Sequence, residues 1–74
     1  MRELEISEEP IELYKILKLE NWVASGGEAK MVIAEGRVTV NEKVETQKRK
    51  KILSGDVIGF GKFRIRVKVR EVAL

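Results

Sequence analysis

The chain has 74 residues and a net charge of +3, and it contains neither cysteine nor histidine. This length allows one small domain spanning residues 1–74, near the size at which a hydrophobic core only just offsets the entropy lost on folding. The missing residue types exclude disulfides, thiolate zinc sites and imidazole-based catalytic triads, so we expect no cofactor and no enzyme activity.

The N-terminal residues predict a strand and then the start of a helix. Leu4 and Ile6 alternate with glutamates, which is the period of a half-buried strand. Ser7 is followed by two glutamates and Pro10, an arrangement typical of a helix start because the helix dipole favours acidic side chains there.

The first predicted helix carries one apolar stripe. Leu13, Ile16 and Leu17 have the i, i+3, i+4 spacing of residues that face a core. Trp22 follows in the connection to the second helix, where its large ring would fill the gap between the two helices. We therefore favour a core role over base stacking for this residue.

The second predicted helix begins with a capping box. Ser25 and Glu28 have the S-x-x-E spacing in which the hydroxyl and the carboxylate each accept from a backbone N–H of the first turn. Gly26 and Gly27 between them are poor helix formers. They either loosen the turn or let a phosphate approach the bare donors at the positive end of the helix dipole. Both interpretations stay open at this point.

The second helix is expected to end at Gly36, a residue suited to the left-handed C-cap position. Apolar alternation around Asn41 and Glu42 then predicts a hairpin, although glycine after the asparagine would give a stronger signal. The buried stripe of the helix consists of Ala29, Val32 and Ile33.

The C-terminal third predicts a loop, a hairpin and a long strand. Residues 45–54 show no clean period and are expected to form a loop, near the end of which Ile52 and Leu53 re-enter the core. The sequence FGKF at 60–63 predicts a two-residue turn of type II′. The strand that follows places on its apolar face Phe63, Ile65, Val67 and Val69.

Basic side chains are concentrated near the C-terminus. Residues 1–45 carry six basic and ten acidic side chains, whereas residues 46–74 carry nine and two. Four adjacent cations at 48–51 would repel one another unless they are solvated or face phosphate, and such a cluster is typical of polyanion binding. The last strand has a second cationic face. If the N-terminal strand pairs antiparallel with it, Glu3 and Glu5 would neutralise part of that face.

The ordered set of these features resembles the S4 RNA-binding domain, also called the αL motif, from Leu13 to Ile58. The segments SGGEAK and G-x-V-x-V-N, with a basic run before L-x-x-G-D, look like the small free-standing S4-like proteins of bacteria. We expect an α+β fold in which two packed helices precede a small, mainly antiparallel sheet with hairpins. The N-terminal strand is expected to pair with the C-terminal strand.

The resemblance implies docking on structured RNA, ribosomal or transfer RNA, through the two-helix face and the adjoining hairpin loop. Two positions depart from the common pattern: Gly26 stands where many members have arginine, and Glu42 where many have glycine. The expected RNA-binding residues are Gly26, Gly27, Lys30, Arg37, Asn41, Lys43, Lys48, Arg49, Lys50 and Lys51.

The expected partners follow from these features. We expect a monomer that binds structured RNA, on the ribosome or on its assembly intermediates, and not a membrane, since no apolar run approaches the length of a span. We also expect the protein to be cytoplasmic. The alternative is a module that binds proteins or anionic surfaces through the basic loop and the last strand.

Overall fold

A computed structural model describes residues 2–70. Within these residues, neither helix is long and apolar enough to cross a membrane. The elements in chain order are β1 (Arg2–Ile6), β2 (Ile11–Glu12), α1 (Leu13–Leu19), α2 (Gly26–Ala34), β3 (Val38–Val40), β4 (Lys43–Val44), β5 (Lys51–Ile52), β6 (Val57–Phe60) and β7 (Phe63–Val69).

Five of the strands form one sheet in the order β1-β7-β6-β3-β4, and β2 pairs separately with β5. All pairings are antiparallel except that of β1 with β7, which is parallel, with Arg2 opposite Ile65 and Ile6 opposite Val69. The expected pairing of the terminal strands is confirmed, and it is parallel and not the antiparallel arrangement considered for Glu3 and Glu5. Most of the chain separates the two strands, so no tight turn forces them to run in opposite directions.

The core lies between the two helices and one face of the sheet. The stripes predicted for both helices are confirmed, because every one of their side chains is buried. Ile52 enters the core as expected, but Leu53 does not and is 51% exposed, because neighbouring residues of an extended chain point in opposite directions. The buried strand residues are Ile6, Val38, Ile52, Ile58, Ile65 and Val67.

Helix α1 begins at Leu13 and not near Ser7, so the predicted start was wrong. Residues 11–12 are instead held in an antiparallel pair with residues 51–52. The first backbone donors of the helix are satisfied by the loop that precedes β5: Leu13 N–H donates to the Lys50 carbonyl at 2.9 Å and Tyr14 N–H to the Lys48 carbonyl at 3.1 Å. A side-chain cap is therefore not needed at this end.

Helix α2 is capped at both ends by local sequence. The Ser25 hydroxyl accepts from Glu28 N–H at 3.1 Å, and the Glu28 carboxylate accepts from Ala24 N–H at 2.7 Å, one residue before the cap. At the other end Gly36 has a φ of +76°. Gly36 N–H and Arg37 N–H donate back to the last turn, the bond pattern of a Schellman motif. Both predicted ends are confirmed.

Both predicted hairpins form. Asn41 and Glu42 have φ values of +51° and +70°, so they make the type I′ turn that suits the twist of the flanking strands. In the second hairpin Phe60 is opposite Phe63, and Gly61 has a φ of +60°. A positive φ at the first central position only is the signature of the expected type II′ turn.

Trp22 does not fill the gap between the helices. Its ring stacks on the β6–β7 hairpin, with centroid distances of 6.2 Å to Phe60 and 5.6 Å to Phe63. Trp22 is half-buried, and Phe63, which the alternation placed in the core, is 54% exposed. Trp22 and Phe60 pack against the edge of the core, and the three aromatic rings cover one another there.

Candidate functional site

The basic loop, residues 47–51, has an ordered main chain and exposed side chains. Its carbonyls accept the first two N–H groups of α1, and Lys50 N–H donates to the Gln47 carbonyl at 3.0 Å. All four cationic side chains, at positions 48–51, are exposed. The backbone bonds fix where the loop lies, while the charges point into solvent and are free to meet an anion.

Tyr14 joins the basic loop to helix α2. Its backbone N–H donates to Lys48, and its half-buried ring lies 4.8 Å from the Lys30 ammonium and 6.0 Å from that of Lys15. The ring thus holds Lys30 of α2 beside the loop by a cation–π contact. This role of Tyr14 was not predicted from the sequence, although Tyr14 lies on α1 directly before the exposed Lys15.

Few carboxylates neutralise the basic loop and the lysines beside it. Glu12 lies 3.4 Å from Lys15 and 3.8 Å from Arg49, and both pairs are exposed enough to contribute little. Among residues 2–70, Lys48, Lys50 and Lys51 have no carboxylate within 4.0 Å. The loop therefore retains most of its positive charge.

A groove of about 440 Å³ separates the β3–β4 hairpin from the basic loop and is called the loop groove below. Its two carboxylates are already engaged with backbone donors: Glu45 accepts from Gln47 N–H at 3.0 Å, and Asp56 accepts from Leu53 N–H at 2.9 Å. Both acids keep their charge, but within residues 2–70 neither lies within 4.0 Å of a lysine ammonium. The polar lining of the loop groove consists of Asn41, Lys43, Glu45, Lys50, Lys51 and Asp56.

Asn41 connects the hairpin turn to the L-x-x-G-D segment. Its amide nitrogen donates to Asp56 at 3.0 Å, and its amide oxygen accepts from Val57 N–H at 2.9 Å. The Asn41 amide therefore reaches across to the next segment of the chain. Asp56 also holds Leu53, so these two side chains set the width of the loop groove.

The glycine pair lies at the N-terminus of α2. Neither Gly26 nor Gly27 has a positive φ, so the backbone there does not require glycine. A Cβ on Gly27 would approach only the Ser25 hydroxyl, at 3.9 Å, and one on Gly26 would touch the Lys18 side chain at 3.6 Å. The fold therefore tolerates alanine sterically at both positions.

The contacts of Arg37 are with residues outside the basic loop. Its guanidinium is 5.4 Å from the centre of the Phe60 ring and 3.6 Å from the Glu35 carboxylate. The predicted site residues thus fall into four groups: the basic loop with Lys30, the loop groove with Lys43 and Asn41, the Gly26–Gly27 pair at the N-terminus of α2, and Arg37 beside the aromatic cluster. Within residues 2–70, no group of three or more His, Cys, Asp or Glu side chains is placed to hold a metal ion.

Comparison with known proteins connects this arrangement to a family. A family model for the S4 domain matches residues 4–68. Over 57 residues the chain is 47% identical to the Escherichia coli (strain K12) protein named "Putative RNA-binding protein YbcJ", covering 77% of this chain and 81% of that protein. Over 65 residues it is 37% identical to the Bacillus subtilis (strain 168) "Probable ribosome maturation protein RlbA", covering 84% and 92%.

The fold agrees with a solved member of this group. The solution structure of YbcJ from E. coli, described as having an αL motif involved in RNA-binding, matches with a TM-score of 0.70 and 42% identity, covering 92% of this chain and 87% of that chain. The expected architecture of two helices and a mainly antiparallel sheet is confirmed. The family model covers nearly all of the described residues, and the chain therefore belongs to the S4-domain family.

Proposed function

We propose that this protein binds structured RNA through helix α2, the basic loop and the loop groove. Two observations support this most: Tyr14 joins Lys30 to the basic loop, and Lys43 lines the same groove as Lys50 and Lys51. Backbone hydrogen bonds hold the loop in place. An array of cations held in place loses less entropy on meeting phosphates than a flexible chain would.

The residues have different roles in this proposal. The lysines at positions 30, 43, 48, 50 and 51 act as point charges on phosphates, whereas Arg49 and Arg37 can fork onto a phosphate or stack on a base. The bare backbone N–H groups of Gly26 and Gly27 receive one phosphate at the positive end of α2. Asn41 acts by fixing the hairpin turn, since both ends of its amide are engaged within the fold.

Ribosomal RNA is the proposed target. The B. subtilis relative is named for ribosome maturation and the E. coli relative for RNA binding. We propose that this chain acts as a monomer, in the cytoplasm, on the ribosome or on an assembly intermediate. Phosphate contacts carry no sequence information, so the shape of the RNA provides the selectivity. The protein contributes no catalysis in this role.

The test compares two variants that lose the same charge. The loop variant carries Lys48→Ala, Lys50→Ala and Lys51→Ala, and the control variant carries Lys62→Ala, Lys68→Ala and Arg70→Ala. Fluorescence anisotropy measures the affinity of each for a structured ribosomal RNA fragment, for a DNA duplex of equal length and for acidic lipid vesicles.

We expect the wild type to prefer the RNA, the loop variant to lose about tenfold or more in affinity, and the control variant to lose much less. Equal losses in the two variants would show that only net charge matters and would contradict the proposal. A preference for vesicles would favour the anionic-surface alternative instead.

A further inference from the structure

The outer face of the sheet carries a second set of cations. The helices cover only the inner face, so the side chains that alternate outward on β7 remain exposed. Arg64 lies opposite Gly59 and Arg66 opposite Val57 on the neighbouring strand. Gly59 has no side chain, and the space beside it is filled by Thr39 of β3, whose hydroxyl lies 2.5 Å from the position that a Cβ would occupy.

A groove of about 430 Å³ runs along this face and is called the sheet groove below. It begins at the β3–β4 turn and continues onto the two arginines. The residues that line it are Asn41, Glu42, Val57, Arg64 and Arg66.

The acidic residues do not neutralise the sheet groove. The parallel register places Glu3 opposite Arg66, yet within residues 2–70 no carboxylate comes within 4.0 Å of the Arg66 guanidinium. Among the described residues, the one carboxylate within 4.0 Å of Arg64 is that of Glu42, at 3.8 Å, and both side chains are more than half exposed. An exposed pair at this distance contributes little, so both arginines are available to an anion.

The β3–β4 turn is a ridge between two cationic grooves. Asn41 lines both of them, with lysines across the loop groove on one side and Arg64 and Arg66 in the sheet groove on the other. An RNA helix presents two phosphate strands on either side of a groove. A ridge with cations along both flanks matches that arrangement of charge, whereas a single strand would occupy only one flank.

We propose that the sheet groove binds the phosphate backbone of a second RNA strand, so that the Asn41–Glu42 turn lies between the two strands of an RNA helix. This inference rests on the proposed function and adds to it the class of RNA, a base-paired stem. The planar, forked guanidinium of arginine suits this contact because it can donate two hydrogen bonds to one phosphate.

The test uses an RNA stem and a single strand of equal length that cannot pair. The sheet variant carries Arg64→Gln and Arg66→Gln. Its control carries Lys62→Gln and Lys68→Gln, which remove the same charge from the same hairpin but do not line the sheet groove. The loop variant described above is measured alongside, and circular dichroism checks that each variant is folded.

For the stem, we expect the sheet variant to lose about fivefold or more in affinity and the slope of log affinity against log salt to become shallower by about 1.5 to 2. Its affinity for the single strand should match that of the control. If the sheet variant behaves like the control on the stem while the loop variant still loses binding, the inference is wrong and the proposed function survives. If the loop variant also binds like the wild type, the proposed function itself fails.

Discussion

Glu42 occupies a backbone conformation that suits glycine. Its φ of +70° lies in the left-handed region, where a side chain costs roughly 1–2 kcal/mol. A type I′ turn requires this conformation at both central positions, and Asn41 tolerates it better than Glu42 does. In the sequence, Glu42 in place of glycine gave only a weak hairpin signal. The hairpin forms nevertheless, because β3 is also paired with β6 on its other side.

Glu42→Gly is expected to stabilise the protein by about 0.5–1 kcal/mol. The substitution removes the backbone strain at position 42, and this gain is larger than the loss caused by the greater conformational entropy of the unfolded chain. Thermal unfolding should show a midpoint higher by about 2–6 °C. The control is Glu42→Gln, which removes the same charge but keeps the side chain, and which should leave the midpoint nearly unchanged. A midpoint that does not rise for Glu42→Gly would contradict this explanation of the turn.

At the scale of elements, the residue that would best stabilise the N-terminus of α2 differs from the residue that would best allow RNA to bind there. Gly27 is exposed, has no positive φ and has room for a Cβ. The fold therefore loses stability by keeping glycine there, since glycine is the poorer helix former by up to about 1 kcal/mol. A close approach by a phosphate would account for that cost.

Gly27→Ala is expected to raise the unfolding midpoint by about 2–4 °C and to weaken binding of structured RNA by about three- to tenfold. Met31→Ala, an exposed change on the same helix away from its N-terminus, serves as the control and should leave RNA affinity unchanged. Higher stability with unaltered affinity would mean that the glycines only loosen the turn.

Asp56 couples two other elements, the β3–β4 turn and the segment before β6. Its carboxylate accepts from the Asn41 amide and from Leu53 N–H, and Asp56→Ala leaves both donors unpaired. We expect a loss of about 1–2 kcal/mol in the free energy of unfolding. Amide exchange at Leu53 and Val57 should become faster.

Asp56→Asn retains one acceptor oxygen and is expected to lose only part of that stability. Unchanged exchange at both amides in Asp56→Ala would show that the turn and the segment are held by other contacts. The loop groove would then need a different structural explanation.

At the scale of the whole molecule, the features that could be predicted from the sequence are those that depend on residues close together in the chain. The apolar stripes of both helices, the capping of α2 and the two turns each depend on residues a few positions apart. The late start of α1 could not be predicted in this way, because the carbonyls that receive its first N–H groups come from Lys48 and Lys50, far along the chain. The parallel direction of β1 has the same cause, since it depends on the path of most of the chain.

In the candidate site, too, the local features could be predicted from the sequence and the contacts between distant segments could not. The basic loop and Lys30 were visible in the sequence as charges, but their meeting at Tyr14 and the bond between Asn41 and Asp56 are contacts between distant segments. The sequence also left open whether the last strand is neutralised. The ion pairs show that Glu5 partly neutralises this face, since it lies 3.5 Å from Arg70, whereas Arg66 has no carboxylate within 4.0 Å among the described residues.

The salt dependence of RNA binding tests the central claim most directly. The wild type should be titrated with a structured ribosomal RNA fragment at several salt concentrations, and log affinity plotted against log salt. If the basic loop and its neighbours neutralise four or more phosphates, the slope should be about −3 to −4 or steeper, and it should become shallower by about 2 to 3 in the loop variant. A slope near zero, or one that the loop variant leaves unchanged, would contradict the account.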